Sequence, residues 1–436
     1  MSLLSTPSLR WLSPALSLLL LPAVVNAAPG VATSSGDWPF YRGPNGDGET
    51  QAGVGKPWDS AGPKEIWKVD ATAGFSSLTV SAGIATTLMT RDFEGSPTEF
   101  CVALDAATGK ELWSAPLKIA KYQGGGDSGT NDNGGGDGPR STPTIDAGKI
   151  YVYGANLDLY CFDAKTGKPD WSVDVLREYK GKNIAWSNAT SPIIEGDLVI
   201  VAGGGKGATW LAFEKKSGAL KWKTGDDVIT HATPTPTNLH GERQIIFFMK
   251  SGLVSLSPKD GKELWSQEFP FNVSTAASPV VWENVVYCSA GYGVGAAAYE
   301  VKKTGLTYES HELWRKEGDV LANHWSTPIC HNGYLYGVFG FKKYGSAPVK
   351  CVDIRTGQEK WSQEGFGPGN VILSKDRLLV LSDKGELVLI DAKPDAYKEL
   401  ARADVLDGKC WSTPTVAGGF IFARSTKQAA CFAVTP

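Results

Sequence analysis

The sequence predicts an all-β fold, an eight-bladed β-propeller of four-stranded antiparallel blades whose ring is closed by an N-terminal strand. Three observations predict it. A turn motif of fixed composition recurs along the chain. A polar-to-proline step marks the start of each interval between turns. One strand near the N-terminus has no local partner.

The turn motif is clearest at Asp105-Ala-Ala-Thr108-Gly109-Lys110-Glu111-Leu112-Trp113. An apolar run, Phe100 to Leu104, leads into it, and Leu112 and Trp113 begin the next strand. Asp and Thr open a tight turn, and glycine supplies the left-handed backbone such a loop needs. The unit reads as a β-hairpin. It returns at 163–171, 214–222, 257–265 and 353–361, with a stretched version at 301–314 that keeps Thr304, Gly305 and Trp314. Six copies, spaced about 50 residues apart, signal a repeat architecture.

The second signal precedes an apolar strand each time: Ser141-Thr142-Pro143, Thr190-Ser191-Pro192, Ala232-Thr233-Pro234, Ala277-Ser278-Pro279, Ser326-Thr327-Pro328 and Ser412-Thr413-Pro414. Proline fits the first residue of a strand but not a ladder interior. Ser76-Ser77-Leu78 and Gly369-Asn370-Val371 are weaker equivalents, which makes eight starts. Each start-to-Trp interval has room for four short strands.

Ile66-Trp67-Lys68-Val69 resembles the strand that ends each repeat, yet nothing before it supplies the rest of one. The C-terminal stretch, Trp411 to Val434, lacks a final Trp strand. Joining the two closes a ring and removes exposed edges. The seven tryptophans at 67, 113, 171, 222, 265, 314 and 361 are then expected between neighbouring blades. The last full repeat departs from the pattern, with Lys393-Pro394-Asp395 in the turn and no Trp after it.

Residues 1–27 read as a secretory signal peptide: Arg10, an apolar run from Trp11 to Val25, and small residues up to Ala27. The expected location is periplasmic or secreted, with no membrane span after cleavage. The chain carries 43 Lys and Arg against 46 Asp and Glu. That near balance, with no basic run, excludes nucleic acid as the expected partner. The seven cysteines include no Cys-x-x-Cys or Cys-Cys pair, and they read as small buried hydrophobes. Residues 28–62 are expected as a linker and arm packed on a propeller that spans 63–436, with Arg42 and Asp47 as lesser ligand candidates. The molecule is expected to be a monomer.

The repeated Asp-x-x-Thr-Gly-Lys-x-x-Trp turn resembles the tryptophan-docking motif of quinoprotein-type, PQQ-like propellers, from about Asp37 to the C-terminus. That family includes pyrroloquinoline quinone (PQQ) dehydrogenases and the non-enzymatic BamB-type outer-membrane-protein assembly lipoproteins. Trp38-Pro39-Phe40-Tyr41-Arg42-Gly43-Pro44 resembles the lead-in of secreted PQQ-like repeat proteins. The resemblance implies either a binding scaffold for protein partners or a PQQ-dependent alcohol or sugar dehydrogenase with PQQ and Ca²⁺. The adjacent cysteines of the dehydrogenases are missing, and Ala28 stands where the BamB type has a lipidated Cys.

Propellers bind ligands at the channel mouth, on loops entering the innermost strands. Phe75, Arg140, Asn188, His231, His324, Trp325 and Trp411 are expected there, with Trp186 beside them. Aromatic faces could sandwich a planar quinone, a sugar or a peptide, and Arg140 could pair with carboxylates. A carbohydrate-binding propeller using Trp325 and Trp411 is the third functional reading. The alternative is that these side chains plug the channel. In the Gly-rich loop 123–138, Asp127, Asp132 and Asp137 could offer oxygen ligands to Ca²⁺, though the spacing is not that of an EF-hand. The five histidines contain no His-x-x-x-His pair, and the Gly-rich runs at 203–207 and 291–296 lack the context of a phosphate or dinucleotide loop.

Overall fold

The computed structural model describes residues 36–120, 138–340 and 344–434. Eight antiparallel sheets are arranged in chain order, seven of four strands and one of five. This is the eight-bladed propeller. In blade 1, Thr79–Ser81, Ile84–Phe93, Ser96–Asp105 and Glu111–Ile119 pair in sequence order, innermost to outermost. Blades 2 to 7 begin with the innermost strands Thr144–Asp146, Ile193–Glu195, Thr235–Leu239, Val280–Trp282, Ile329–His331 and Asn370–Ser374.

Blade 8 is built from both ends of the chain. Its inner three strands are Thr415–Ala417, Phe420–Arg424 and Gln428–Ala433. Its outermost strand is Glu65–Asp70, with Trp67 opposite Cys431. The orphan strand therefore finds the partner that the incomplete last repeat lacks.

Each Trp of the outermost strands sits opposite a small residue, beside a β-bulge. The partners are Cys431 for Trp67, Ala103 for Trp113, Cys161 for Trp171, Ala212 for Trp222, Ser255 for Trp265, Ala298 for Trp314 and Cys351 for Trp361. Three cysteines thus fill positions where a larger side chain would displace the indole. All seven cysteines are free and buried.

The indole N–H of six of these Trp residues reaches the turn of the following blade. Trp67 donates to the Ala106 carbonyl at 2.9 Å, Trp113 to Ala164 at 2.9 Å, Trp171 to Lys215 at 3.1 Å and Trp222 to Pro258 at 3.0 Å. Trp314 donates to Ile354 and Trp361 to Lys393, both at 2.8 Å. The turn glycine lies against the ring, and a Cβ on Gly167 would fall 2.5 Å from Trp113. Positive φ and this close approach both require glycine there.

Two departures have local causes. The stretched motif of blade 5 is no docking turn. Gly295–Thr304 and Thr307–Lys316 run past the dock as one long hairpin with Gly305 at its open tip. Trp265 instead donates within its own blade, to Gln244 Oε1 at 2.9 Å. The hairpin clasps blade 4 in compensation: Tyr308 and Lys303 reach Glu242 at 2.6 and 2.9 Å, and His240 meets the Val301 carbonyl at 2.7 Å. In blade 7, Ala401 takes the Trp position. The break between the chain ends falls where blade 8 would have its docking turn, so an indole there would have no carbonyl to meet.

The Ser/Thr-Pro steps form a second seam, at the channel. The hydroxyl before the proline accepts the N–H of its counterpart in the preceding blade: Thr413 N to Ser77 Oγ, Ser77 N to Thr142 Oγ1, Thr142 N to Ser191 Oγ, Ser191 N to Thr233 Oγ1 and Ser278 N to Thr327 Oγ1, at 2.9–3.0 Å. Proline has no N–H to offer, so the neighbouring donor and hydroxyl carry the link.

The arm crosses the opposite end of the channel. Trp38 bridges Val80 of blade 1, the Pro39 carbonyl accepts Ile145 N of blade 2, and Arg42 reaches the Thr327 and Pro328 carbonyls of blade 6. Glu49–Thr50 then adds a parallel strand inside blade 7, opposite Leu373 and Ser374.

Gly167 and Gly305 share a left-handed φ, near 69° and 62°, but only Gly167 carries an indole. Gly305→Ala is predicted to cost about 1–2 kcal/mol from backbone strain alone. Gly167→Ala is predicted to cost about 2–4 kcal/mol, because overpacking adds to the strain. Urea unfolding of the two variants checks this, and equal losses would remove the docking account.

Candidate functional site

The loops that enter the innermost strands meet at the end of the channel away from the arm. Strand direction places the loops between second and third strands at that same end. From this end the expected mouth residues form a band of rings and cations. His324 lies edge-on to Trp325 at 5.2 Å, Trp325 lies 4.7 Å from Trp411, and Trp411 lies 4.9 Å from Phe75. Arg140 sits over Phe75 at 5.9 Å and donates to the Trp186 carbonyl at 3.0 Å. Trp186 packs beside His231 with ring centres 6.1 Å apart. The structure thus brings Phe75, Arg140, Trp186, His231, His324, Trp325 and Trp411 together.

Asn188 stands apart. It is buried, and its amide donates to the carbonyls of Tyr153, Gly154 and Thr190 while its oxygen accepts from Thr190. It holds the entry to blade 3 rather than facing the mouth. Asp127, Asp132 and Asp137 lie outside the described residues. Among the described residues no group of three or more His, Cys, Asp or Glu could hold a metal ion.

Several members of the band escaped sequence reasoning. Lys409 is buried with its Nζ 4.6 Å from the Trp411 ring and 5.7 Å from Phe75. Tyr344 stacks on Trp411 at 5.7 Å, and Tyr292 meets His324 edge-on at 5.2 Å. The two tyrosines come from loops between second and third strands, where the repeat carries no fixed marker. An aromatic residue midway between a strand-start Pro and the next Trp was the available signal.

The band packs on itself. The cleft beside His324, Trp325 and Pro368 holds only about 10 Å³. His231 shows how the mouth is held. Its Nε2–H donates to the Ala185 carbonyl at 2.9 Å, because a carbonyl only accepts, and Nδ1 then accepts from Ser274 Oγ at 2.7 Å. The neutral ring is the form this pairing uses. Burial, reinforced by the Arg140 charge, pushes its pKa down to about 4.

Fold and mouth together define a class: an eight-bladed propeller keyed by tryptophans at its outer face and packed with aromatic side chains at one end of its channel. The chain matches the PQQ_2 family model, described as outer membrane protein assembly factor BamB, over residues 97–338 and 345–434, and it belongs to that family. It is 25% identical over 384 residues to the outer membrane protein assembly factor BamB of Moranella endobia (strain PCIT), covering 84% of this chain and 88% of that protein. A 201-residue stretch is 28% identical to the dehydrogenase subunit of the quinone alcohol dehydrogenase of Gluconacetobacter polyoxogenes, and covers only 23% of that protein. The solved quinohemoprotein alcohol dehydrogenase of Comamonas testosteroni shares the fold, with a TM-score of 0.64 and 14% identity over 93% of this chain and 82% of that one.

His231 also sets a pH dependence. A depressed folded-state pKa contributes stability above the unfolded value, near 6.5, and loses it as pH falls toward about 4. The contribution is predicted at about 3 kcal/mol. Urea unfolding at pH 7 and pH 4 should show the wild type losing about that much more than His231→Gln. Equal acid sensitivity in the two proteins would contradict it.

Proposed function

We propose that the protein is a BamB-type scaffold that acts outside the cytoplasm and binds protein partners on the mouth-end loops, without turning over a substrate. The observation that carries this reading is a row of exposed apolar side chains on neighbouring mouth-end loops. Val228, Val273 and Val320 are 50%, 40% and 66% exposed, on the successive loops that enter blades 4, 5 and 6. Tyr292, 38% exposed, joins them from the neighbouring loop of blade 5. These loops are tied together: His231 N donates to the Thr275 carbonyl and Ala276 N to the His324 carbonyl. Apolar groups held on a rigid base suit a protein contact. The family match and the expected leader agree with it. No helix among the described residues is long and apolar enough to cross a membrane.

The quinone reading fares less well among the described residues. A tricyclic quinone needs a slot of a few hundred Å³, and beside His324, Trp325 and Pro368 the band leaves only about 10 Å³. Trp411 is already engaged by Trp325, Phe75, Tyr344 and Lys409, which also leaves little ring surface for a sugar. Arg140 and Lys409 beside Phe75 are the feature that keeps the quinone reading open, since two cations suit a polycarboxylate.

A photo-crosslinking residue at position 273, in the native cell envelope, tests the scaffold directly. The predicted outcome is crosslinks to components of outer-membrane-protein assembly. They should weaken at least about tenfold when Val228 and Val320 become Asp, with melting unchanged because both sites are exposed. The absence of any crosslink, or oxidation of an alcohol with added PQQ and Ca²⁺ that is lost in Arg140→Ala, would replace the scaffold with the enzyme.

A further inference from the structure

A recess at the arm-covered end of the channel is a cavity of about 430 Å³. It lies between the arm and the inner strands of blades 3, 4 and 5, and that volume is within the range of small-ligand sites. Its walls are largely apolar rings, among them Pro44, Pro234, Pro236, Pro279 and Trp282. Its polar groups are unevenly satisfied.

Both cations at the cavity are occupied. Arg42 is fully buried, with Nη1 donating to the Thr327 carbonyl at 2.7 Å and Nη2 to the Pro328 and Asp47 carbonyls at 2.8 and 2.9 Å. Arg243 is held by both carboxylate oxygens of Glu195. The carboxylates differ. Asp47 accepts Glu49 N at 2.9 Å and a side-chain hydrogen bond from Asn45, whereas among the described residues the Glu49 carboxylate has no hydrogen-bond donor. Arg243 and Glu195 cancel, so with Glu49 ionised Arg42, Asp47 and Glu49 leave one negative charge in excess at the cavity.

A second observation is independent of the carboxylates. Ser278, 4% exposed, lines the same cavity, and its hydroxyl has no hydrogen-bond partner among the described residues. In five other blades the equivalent hydroxyl accepts an N–H from the blade before it, as Ser77, Thr142, Ser191, Thr233 and Thr327 do. The channel seam is therefore open between blades 4 and 5, at the wall of the cavity. A buried hydroxyl left unpaired costs about 1–3 kcal/mol unless something fills its acceptor or donor sites.

We propose that this cavity is a binding site for a compact organic cation, an alkylammonium or alkylguanidinium, with its charged head on the Glu49 and Asp47 carboxylates, Ser278 as an additional acceptor, and its alkyl stem along the proline rings. An ammonium or guanidinium supplies donors only, which is what the Glu49 carboxylate and the Ser278 hydroxyl lack, and Asp47 adds its charge beside them. Prolines and an aromatic wall accommodate the stem and favour a cation over a neutral head. A carboxylate or phosphate ligand would find both cations engaged and the excess charge against it. Glu49 fits the role of an ion waiting for a partner: burial, then the neighbouring Asp47 charge, raise its pKa to about 7, while Arg42 opposes the shift.

Calorimetric titration of the full mature chain with agmatine and 1,5-diaminopentane tests the site, with glutarate and Ca²⁺ as controls. Binding of at least one organic cation at one per chain is expected, with no binding of glutarate. Glu49→Gln should weaken it at least about tenfold and Ser278→Ala by a few-fold. Glu49→Gln removes a charge that burial disfavours, so it should fold with unchanged circular dichroism and equal or higher melting temperature. Failure of both cations to bind, equal binding by wild type and Glu49→Gln, or a response to Ca²⁺ or glutarate alone would overturn the proposal. None of these results depends on the mouth-end loops, so the scaffold reading stands or falls separately.

Discussion

The fold rests on one strand pairing. Glu65–Asp70 hydrogen-bonds along Gln428–Ala433, and the two ends of the chain become neighbours in one sheet. Without that pairing the last blade has three strands and an exposed edge. The indole of Trp67 also carries the ring onward, through the Ala106 carbonyl of blade 1. The same strand therefore completes one blade and locks the next.

Two seams hold the remaining blades, and they differ in chemistry. The outer seam is aromatic and directional, six indoles donating to turn carbonyls and five of them covering the turn glycine. The inner seam is a relay of Ser and Thr hydroxyls at the channel. Where both seams change, between blades 4 and 5, the structure substitutes a long hairpin and its bonds to Glu242. The cavity wall opens at that same junction. An irregular junction in a repeat fold is a natural place for a specific function, because the symmetric contacts there have already been given up.

Much of this was legible in the sequence because repeat physics writes itself into spacing. The Asp-Thr-Gly turn, its Trp and the Ser/Thr-Pro step each answer to one local requirement, so each recurs at a fixed offset. The closing strand was legible from Trp67 and from the C-terminal stretch that lacks a final Trp strand, since each signals the partner the other is missing. The hairpin at Gly305 was misread as a docking turn because the residue types match. What differs is the length of the strands that flank it, and a glycine has no way to announce what packs on it. The mouth band was partly legible, as the residues before each strand-start Pro carry rings and charges. Asn188 looked equivalent to them, yet its amide is used by backbone carbonyls. Lys409, Tyr344 and Glu49 were not legible as site residues. Lys409 and Tyr344 meet Phe75 or Trp411 from loops with no repeat marker, and Glu49 reaches its cavity only through the arm's crossing, which no sequence offset encodes.

The arm follows the same logic from the other end. Arg42 was a minor candidate as a ligand residue, and it anchors the arm across the channel to the Thr327 and Pro328 carbonyls. The same crossing carries Asp47 and Glu49 to the cavity. The N-terminal segment thus serves both as ring closure and as the floor of a recess. Native-state hydrogen exchange of the Glu65–Asp70 amides tests the central claim most directly. The account predicts that the amides of this strand bonded to Gln428–Ala433 exchange as slowly as the interior strands of blade 8, by opening only with the whole ring. Exchange as fast as that of an unpaired edge would mean that the ring is not closed this way.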